Sequence, residues 1–253
     1  MFSSKIKGSL DSDALAFAAA SGATDIRGLS YFARGIKNLG LWPSTVCWPL
    51  RSAQNAGTGT IAYSLGGLGA YNGTLVNGPT WGANGMSLAS GSGQYISFPT
   101  MSGFAGGVYC GSVHSVPVVP APARGISIET TSGQVGGMWA PFSDGAAYWD
   151  CLTTVGGRIS ATSGAVANVI NMWAGSSVGT SLYRDTTLLV TGGTPTSMGS
   201  TFDRVQFGRS GITVTFTGAV TMIFIGTAGV TQSQHNSFFS LYKSTLGAGL
   251  GLP

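Results

Sequence analysis

Charge is what this sequence has least of. Twelve basic and eight acidic residues make up 8% of 253, against about 25% in an ordinary soluble domain. The acids include one glutamate, Glu129, and no charged residue falls between Arg51 and Arg124. Histidine occurs twice, at His114 and His235. These shortages narrow the chemistry. Glycoside hydrolysis needs two carboxylates about 5–9.5 Å apart, and the acidic pair nearest in sequence that could meet across a turn is Asp144 and Asp150. Nucleophilic catalysis needs a base beside the nucleophile, and no G-x-S-x-G elbow accompanies either histidine. His235 is expected on the solvent face of a terminal helix, and His114 near a strand end. Net charge is +4, but no run of five Lys/Arg and no basic–aromatic interleaving occurs, which argues against a nucleic-acid partner.

Cysteine is scarce and odd in number. Cys47, Cys110 and Cys151 are far apart, with no C-x-x-C, so neither a disulfide framework nor a zinc site is expected. Buried thiols in a reducing cytoplasm fit better. Calcium would want clustered carboxylates, and Asp185 and Asp203 are single. No cofactor is expected. Nor does any apolar run reach the roughly 18 residues of a membrane span. Ala14–Ala20 follows Lys5 and Lys7 but is short, and Asp11 and Asp13 interrupt the junction, unlike a signal peptide.

Glycine is abundant, at 41 residues, and hydrophobic residues reach 43%. Without a G-X-Y period, the glycines punctuate short apolar runs, the pattern of many short strands joined by turns. Asn72-Gly73, Asn77-Gly78 and Asn84-Gly85 are turn signals. In Gly218–Gly226 both faces are apolar, with Val220, Met222 and Phe224 on one side and Ile223 and Ile225 on the other. This strand is expected at the centre of a covered sheet.

Helices are expected at the ends. Asp11 or Ser12 caps one over 13–21, stopped by Gly22. Thr24 caps a second over 25–39, whose Ile26, Leu29, Phe32 and Ile36 fall on one face. Thr231 and Gln234 form a capping box for a third. The proline-rich run from Val116 to Ala123 reads as an extended loop, either a connector or an arm on a neighbouring subunit. Trp42, Trp48 and Trp81 are expected between helices and sandwich.

The aromatics offer one positive signal. Trp139, Tyr148 and Trp149, with Asp144, fit a candidate glycan site, since sugars dock on aromatic faces while polar groups fix hydroxyls. The same residues also fit a sandwich core.

Two regions carry a family resemblance. Asp13-Ala-Leu-Ala-Phe-Ala-Ala-Ala-Ser-Gly-Ala-Thr-Asp-Ile, continuing to Gly35–Trp42 and Trp48-Pro-Leu, resembles the opening of many tailed-bacteriophage structural proteins. Tyr183-Arg-Asp, Val205–Arg209, Phe216–Val220 and Leu241–Gly247 resemble the ending of a LamG/concanavalin A-like domain. Asp185 is followed by Thr186 where the family has glycine. The resemblance implies an all-β, concanavalin A-like jelly-roll sandwich over 46–253, with an N-terminal arm and helical docking element over 1–45 and a short C-terminal helix. It implies a non-enzymatic virion component, in the capsid decoration or the tail or fibre, assembled in the host cytoplasm. Its partners would be other virion proteins and copies of itself, docked through Ile26, Leu29, Phe32 and Ile36. A lectin-like adhesin for host glycan is the alternative, and a glycan hydrolase comes third.

Overall fold

The computed structural model describes residues 9–104, 107–121, 123–129, 135–150, 158–192, 201–202 and 204–253. The chain is an all-β jelly-roll sandwich with helices on one face. The first sheet has eight strands, in the order Thr187–Thr191, Ser181–Arg184, Asn171–Ser176, Tyr109–Ser115, Gly218–Gly226, Thr45–Pro49 and Leu65–Gly66, with Met86–Leu88 also pairing to Gly218–Gly226. The second, also eight-stranded, runs Arg158–Thr162, Ala146–Asp150, Val135–Trp139, Arg124–Glu129, Arg204–Phe207, Tyr95–Phe98, Gly73–Val76 and Ile61–Ala62. All the pairings between these strands are antiparallel.

Strand alternation sorts side chains into two cores. Between the sheets lie Val46, Trp48, Ile126, Ile128, Trp149, Trp173, Phe207, Ile223 and Ile225. On the far face of the first sheet, Cys47, Tyr109, Met172, Met222 and Phe224 meet the helices. Gly218–Gly226 therefore has both faces covered, as its two-sided apolarity predicts. Val220 joins the inner core and not Met222's side. A bulge against Tyr109–Ser115 between Val220 and Met222 shifts the alternation.

Helix α1 (Ser12–Ser21) is capped by Asp11, whose carboxylate accepts from the Asp13 and Ala14 amides, and ends at left-handed Gly22. Helix α2 (Ile26–Asn38) is capped by Asp25, not Thr24: the Asp25 carboxylate accepts from the Gly28 amide. Helix α3 (Gln232–Ser244) has the predicted capping box of Thr231 and Gln234.

The docking expectation for α2 is corrected here. Leu29 and Phe32 are fully buried, Ile36 is 1% exposed, and Ile26 is half-buried against the same core. Their partner is the chain itself: Phe32 packs edge-on to Phe238 at 6.0 Å and to Tyr242 at 6.4 Å. Residues 9–45 are thus a third layer sharing one core with the first sheet. Trp48 is also displaced from its expected place. It lies between the sheets, 4.1 Å from the Phe98 ring; Trp81 packs on that inner core too, while Trp42 does lie with the helices.

Among the described residues, the outermost strands of the two large sheets are blunted. Leu65–Gly66 and Ile61–Ala62 are two residues long. Arg158–Thr162 carries an arginine, and Thr187–Thr191 is distorted by a bulge opposite Leu182 and Tyr183. Short, charged and bulged edges resist pairing with another chain. No helix among the described residues is long and apolar enough to cross a membrane.

Candidate functional site

The outer face of the second sheet brings together three of the four candidate glycan residues. Trp139 stands opposite Tyr148 on one neighbouring strand and Arg124 on the other. A register shift between Gly137 and Trp139 puts Arg124 on the outer face. Gly125 meanwhile takes the inner side, where a Cβ would lie 3.2 Å from the Met138 carbonyl and 3.3 Å from Ser112 Oγ. The turn before the next strand supplies Phe142 and Asp144. Its Gly145 is left-handed, and the Phe142 amide donates to the Ala146 carbonyl at 2.7 Å. Asp144 accepts from the Ala146 amide at 2.9 Å and from the Tyr148 hydroxyl. The Tyr148 bond is the chief reason its carboxyl lies below the usual range.

Around this core the rings and guanidinium groups stack. Phe142 lies 5.4 Å from Trp139 and 5.5 Å from Tyr148. Arg124 sits over Trp139 at 4.5 Å, and Arg158 lies 4.8 Å from Trp139 and 5.3 Å from Tyr148. Arg158 also holds Asp150 through two bonds of 2.6 and 2.8 Å. Arg124, Phe142 and Arg158 escaped sequence reasoning; outward alternation beside Tyr148 could have flagged Arg158, but nothing marks the bulge that turns Arg124.

Trp149 does not belong to the site. It is fully buried on the inner face, pressed against Gly175, where a Cβ would sit 2.3 Å from the indole ring. Period-2 alternation sends Tyr148 out and Trp149 in.

Asp144 and Asp150 do not form a catalytic pair. The Asp144 carboxylate is held by the Ala146 amide and the Tyr148 hydroxyl. Asp150 is buried and committed to Arg158 through two bonds, so neither carboxylate is free to act as the acid or the nucleophile of a hydrolase pair.

Glu129 is committed as well. It accepts from the Gly211 amide at 2.7 Å, Ser127 Oγ at 2.9 Å, Ser210 Oγ at 3.3 Å and Arg204 Nη1 at 2.9 Å. Burial pushes its pKa up, but these donors outweigh burial and hold it low. The bonds clamp the hairpin Arg209–Val214 over the sheet, leaving Ile212 at its tip 90% exposed.

Both histidines are structural. His235 is fully buried, against expectation. It lies 2.9 Å from the Tyr109 hydroxyl, donates to the Asp185 carbonyl at 2.5 Å and stacks on Tyr183 at 4.2 Å. His114 bridges Ser112 Oγ at 2.9 Å and the Ala140 carbonyl at 2.6 Å. This Ser–His pair lies between the sheets beside Phe207, Phe216 and Trp173, sealed from substrate. Burial pushes both imidazoles down to about 4, against the carbonyl bonds.

Cys47 and Cys110 are buried, and burial pushes the Cys47 thiol up; Cys151 lies outside the described residues. Among the described residues no group of three or more His, Cys, Asp or Glu converges as a metal site. Asp185 accepts instead from Asn171 Nδ2 at 2.7 Å and the Met172 amide at 2.9 Å. Asp203 lies outside the described residues.

No protein-family model and no curated protein matches the chain. Solved structures do. Trypanosoma rangeli sialidase in complex with 2,3-difluorosialic acid superposes with a TM-score of 0.60 at 12% identity, over 87% of this chain and 39% of that one. The same sialidase with the inhibitor DANA gives 0.59 at 13% identity, over 80% and 33%. A mutant of HCR/D gives 0.53 at 11% identity, over 79% and 52%. The chain spans about two fifths or less of the sialidase. At such identities the likeness is one of fold.

Proposed function

We propose that this chain is a non-enzymatic structural component of a bacteriophage virion, a capsid decoration or a tail or fibre protein, acting by packing against other virion proteins and its own copies. One observation carries the reading. The accessible surface is 10088 Å² and the chain has twelve basic and eight acidic residues, about 500 Å² per charge, where ordinary composition would give roughly one per 160 Å². A surface so poor in charge has little to desolvate when neighbours cover it. The chemistry supports the same reading: Glu129 and Asp150 are ion-paired, and both histidines are buried. Gold-labelled antibody against the purified chain, applied to phage particles from the producing culture, tests it. Regular labelling of head or tail is expected. Chain confined to the particle-free fraction would sink the proposal.

A second reading, a lectin-like adhesin for host surface glycan, is favoured by the Trp139–Phe142–Tyr148 cluster with Asp144 beside it. A glycan array separates the two: selective binding lost in Trp139→Ala with folding intact supports the adhesin, and a blank array removes it.

A further inference from the structure

Helix α2 turns a second face away from the core. Leu29, Phe32, Ala33 and Ile36 point inward. On one flank the Asp11 amide donates to Ser30 Oγ at 2.8 Å, and the Asp11 carboxylate holds Lys37. On the other flank a Cβ on Gly35 would run into the Leu241 side chain of α3. Between these flanks, opposite the core, lie Arg27, Tyr31 and Arg34. Their i, i+4, i+7 spacing sets them in one row, about 10 Å long at about 1.5 Å per residue. Tyr31 is 56% exposed, and it is the one aromatic among the exposed large apolar side chains of the described residues. Arg27 is exposed and Arg34 half-buried.

The row is set apart by its lack of partners. Every other arginine is committed: Arg51 to backbone carbonyls, Arg124 to the Trp139 ring, Arg158 and Arg204 to carboxylates, Arg184 to the Ser163 carbonyl and Arg209 to Tyr95. Among the described residues, Arg27 and Arg34 have no ion pair, hydrogen bond or ring contact. Two unpaired guanidinium groups on either side of an exposed ring complement a surface that sets carboxylates opposite them.

The make-up of the row points to a protein as that surface. Tyrosine and arginine are the side chains on which binding energy concentrates at protein interfaces. A nucleic-acid backbone is met by about 6–10 cationic contacts in a strong complex, and this face offers two arginines. A second copy of the chain is a poor match. Among the described residues, Asp144 alone is an exposed acid without a basic partner.

We propose that the row Arg27–Tyr31–Arg34 is where a different protein docks, one that presents carboxylates on both sides of a recess for the tyrosine ring. The proposal rests on the virion reading for the place of that partner, in the particle. It adds the face that is used and the charge of what covers it.

The test compares phage particles carrying the natural chain with particles carrying Arg27→Gln/Arg34→Gln, Tyr31→Ala, or Ser160→Glu/Thr162→Glu. The last changes net charge by the same amount as the arginine pair, on the far sheet, and serves as the control. Chain per particle is measured by quantitative mass spectrometry after washing in about 0.15 M and about 1 M salt. The arginine and tyrosine variants should each lower retention about tenfold or more, with thermal midpoints of the purified chains unchanged. The natural chain should be partly lost in high salt, and the control should be retained like the natural chain. If the double arginine variant does not fold, Arg27→Glu alone decides, since Arg27 is exposed. Particles without the natural chain overturn the virion reading and this proposal together. Natural chain present, with the arginine variant retained equally or the control lost equally, overturns this proposal alone. So does self-association that disappears in the arginine variant, which would make the occupant a second copy. Binding to duplex DNA or to anionic vesicles that disappears in that variant overturns it too, by making the face one for phosphate.

Discussion

Lowering the pH from 7 to 5 should strip this protein of a large part of its stability, through two side chains. His114 and His235 are 1% and 0% exposed, and burial drops each imidazole from 6.5 to about 4. The unfolded chain binds a proton at each site below about pH 6.5, while the folded chain holds both rings neutral. The stability they supply is complete above pH 6.5 and is lost as pH falls towards 4. Each full shift is worth about 3 kcal/mol, with about 2 kcal/mol of it gone by pH 5. The two together cost about 4 kcal/mol at pH 5, a large share of a typical 5–15 kcal/mol. Carboxylates act in a lower window. Hydrogen bonds and ion pairs hold the Glu129 and Asp11 carboxyls below the ordinary carboxylate range, so their contribution fades mainly below pH 5. Asp185 is pushed up by burial and has the opposite sign, favouring the folded state as it protonates. Denaturant titrations at pH 7, 6 and 5 measure the effect. His114→Gln and His235→Gln should each remove about half the slope while lowering stability at pH 7. A stability constant to within about 1 kcal/mol between pH 7 and 5, or an unchanged slope in the double variant, would refute the reasoning.

Three further outcomes follow from packing. Trp149→Ala should cost about 3–5 kcal/mol, read by chemical unfolding, because the indole fills the inner core against Gly175; a near-neutral effect would return Trp149 to the surface. Phe32→Ala should cost a similar 3–5 kcal/mol, and a drop under about 1 kcal/mol would mean that α2 is a detachable arm after all. Glu129→Gln removes the charge from the Arg204 pair and weakens the bond to the Gly211 amide; cleavage by protease at 209–214 should speed up, and unchanged protection would show that the hairpin is held by something else.

Local signals were legible and long-range ones were not. The Thr231–Gln234 box lies within four residues and was readable, as was the two-sided apolarity of Gly218–Gly226. The α2 cap was misassigned because Thr24 and Asp25 are both good capping residues side by side. His235 looked solvent-facing because Gln234 and Asn236 flank it; its partners, Tyr109 and the Asp185 carbonyl, lie 126 and 50 residues away. Alternation put Tyr148 and Trp149 on opposite faces, but which face turned inward depended on the other sheet. The bulges at Val220 and Trp139 add residues without a mark in composition, so they moved Val220 inward and Arg124 outward unannounced.

The strand Gly218–Gly226 has a consequence for how the chain reaches its fold. It is the central partner of both Thr45–Pro49 and Tyr109–Ser115, yet it is made about 170 residues after Pro49, or roughly 10–30 s of synthesis. Helix α2 waits longer still, for Phe238 and Tyr242. Until then Leu29, Phe32 and Ile36 have little beyond α1 and its neighbours to bury against, and the first sheet lacks its middle. The nascent chain must therefore keep the apolar face of α2 soluble while the residues between it and Gly218–Gly226 are made. Premature termination anywhere before residue 218 would leave a fragment with an unclosed sheet, a substrate for chaperones and proteases more than for assembly.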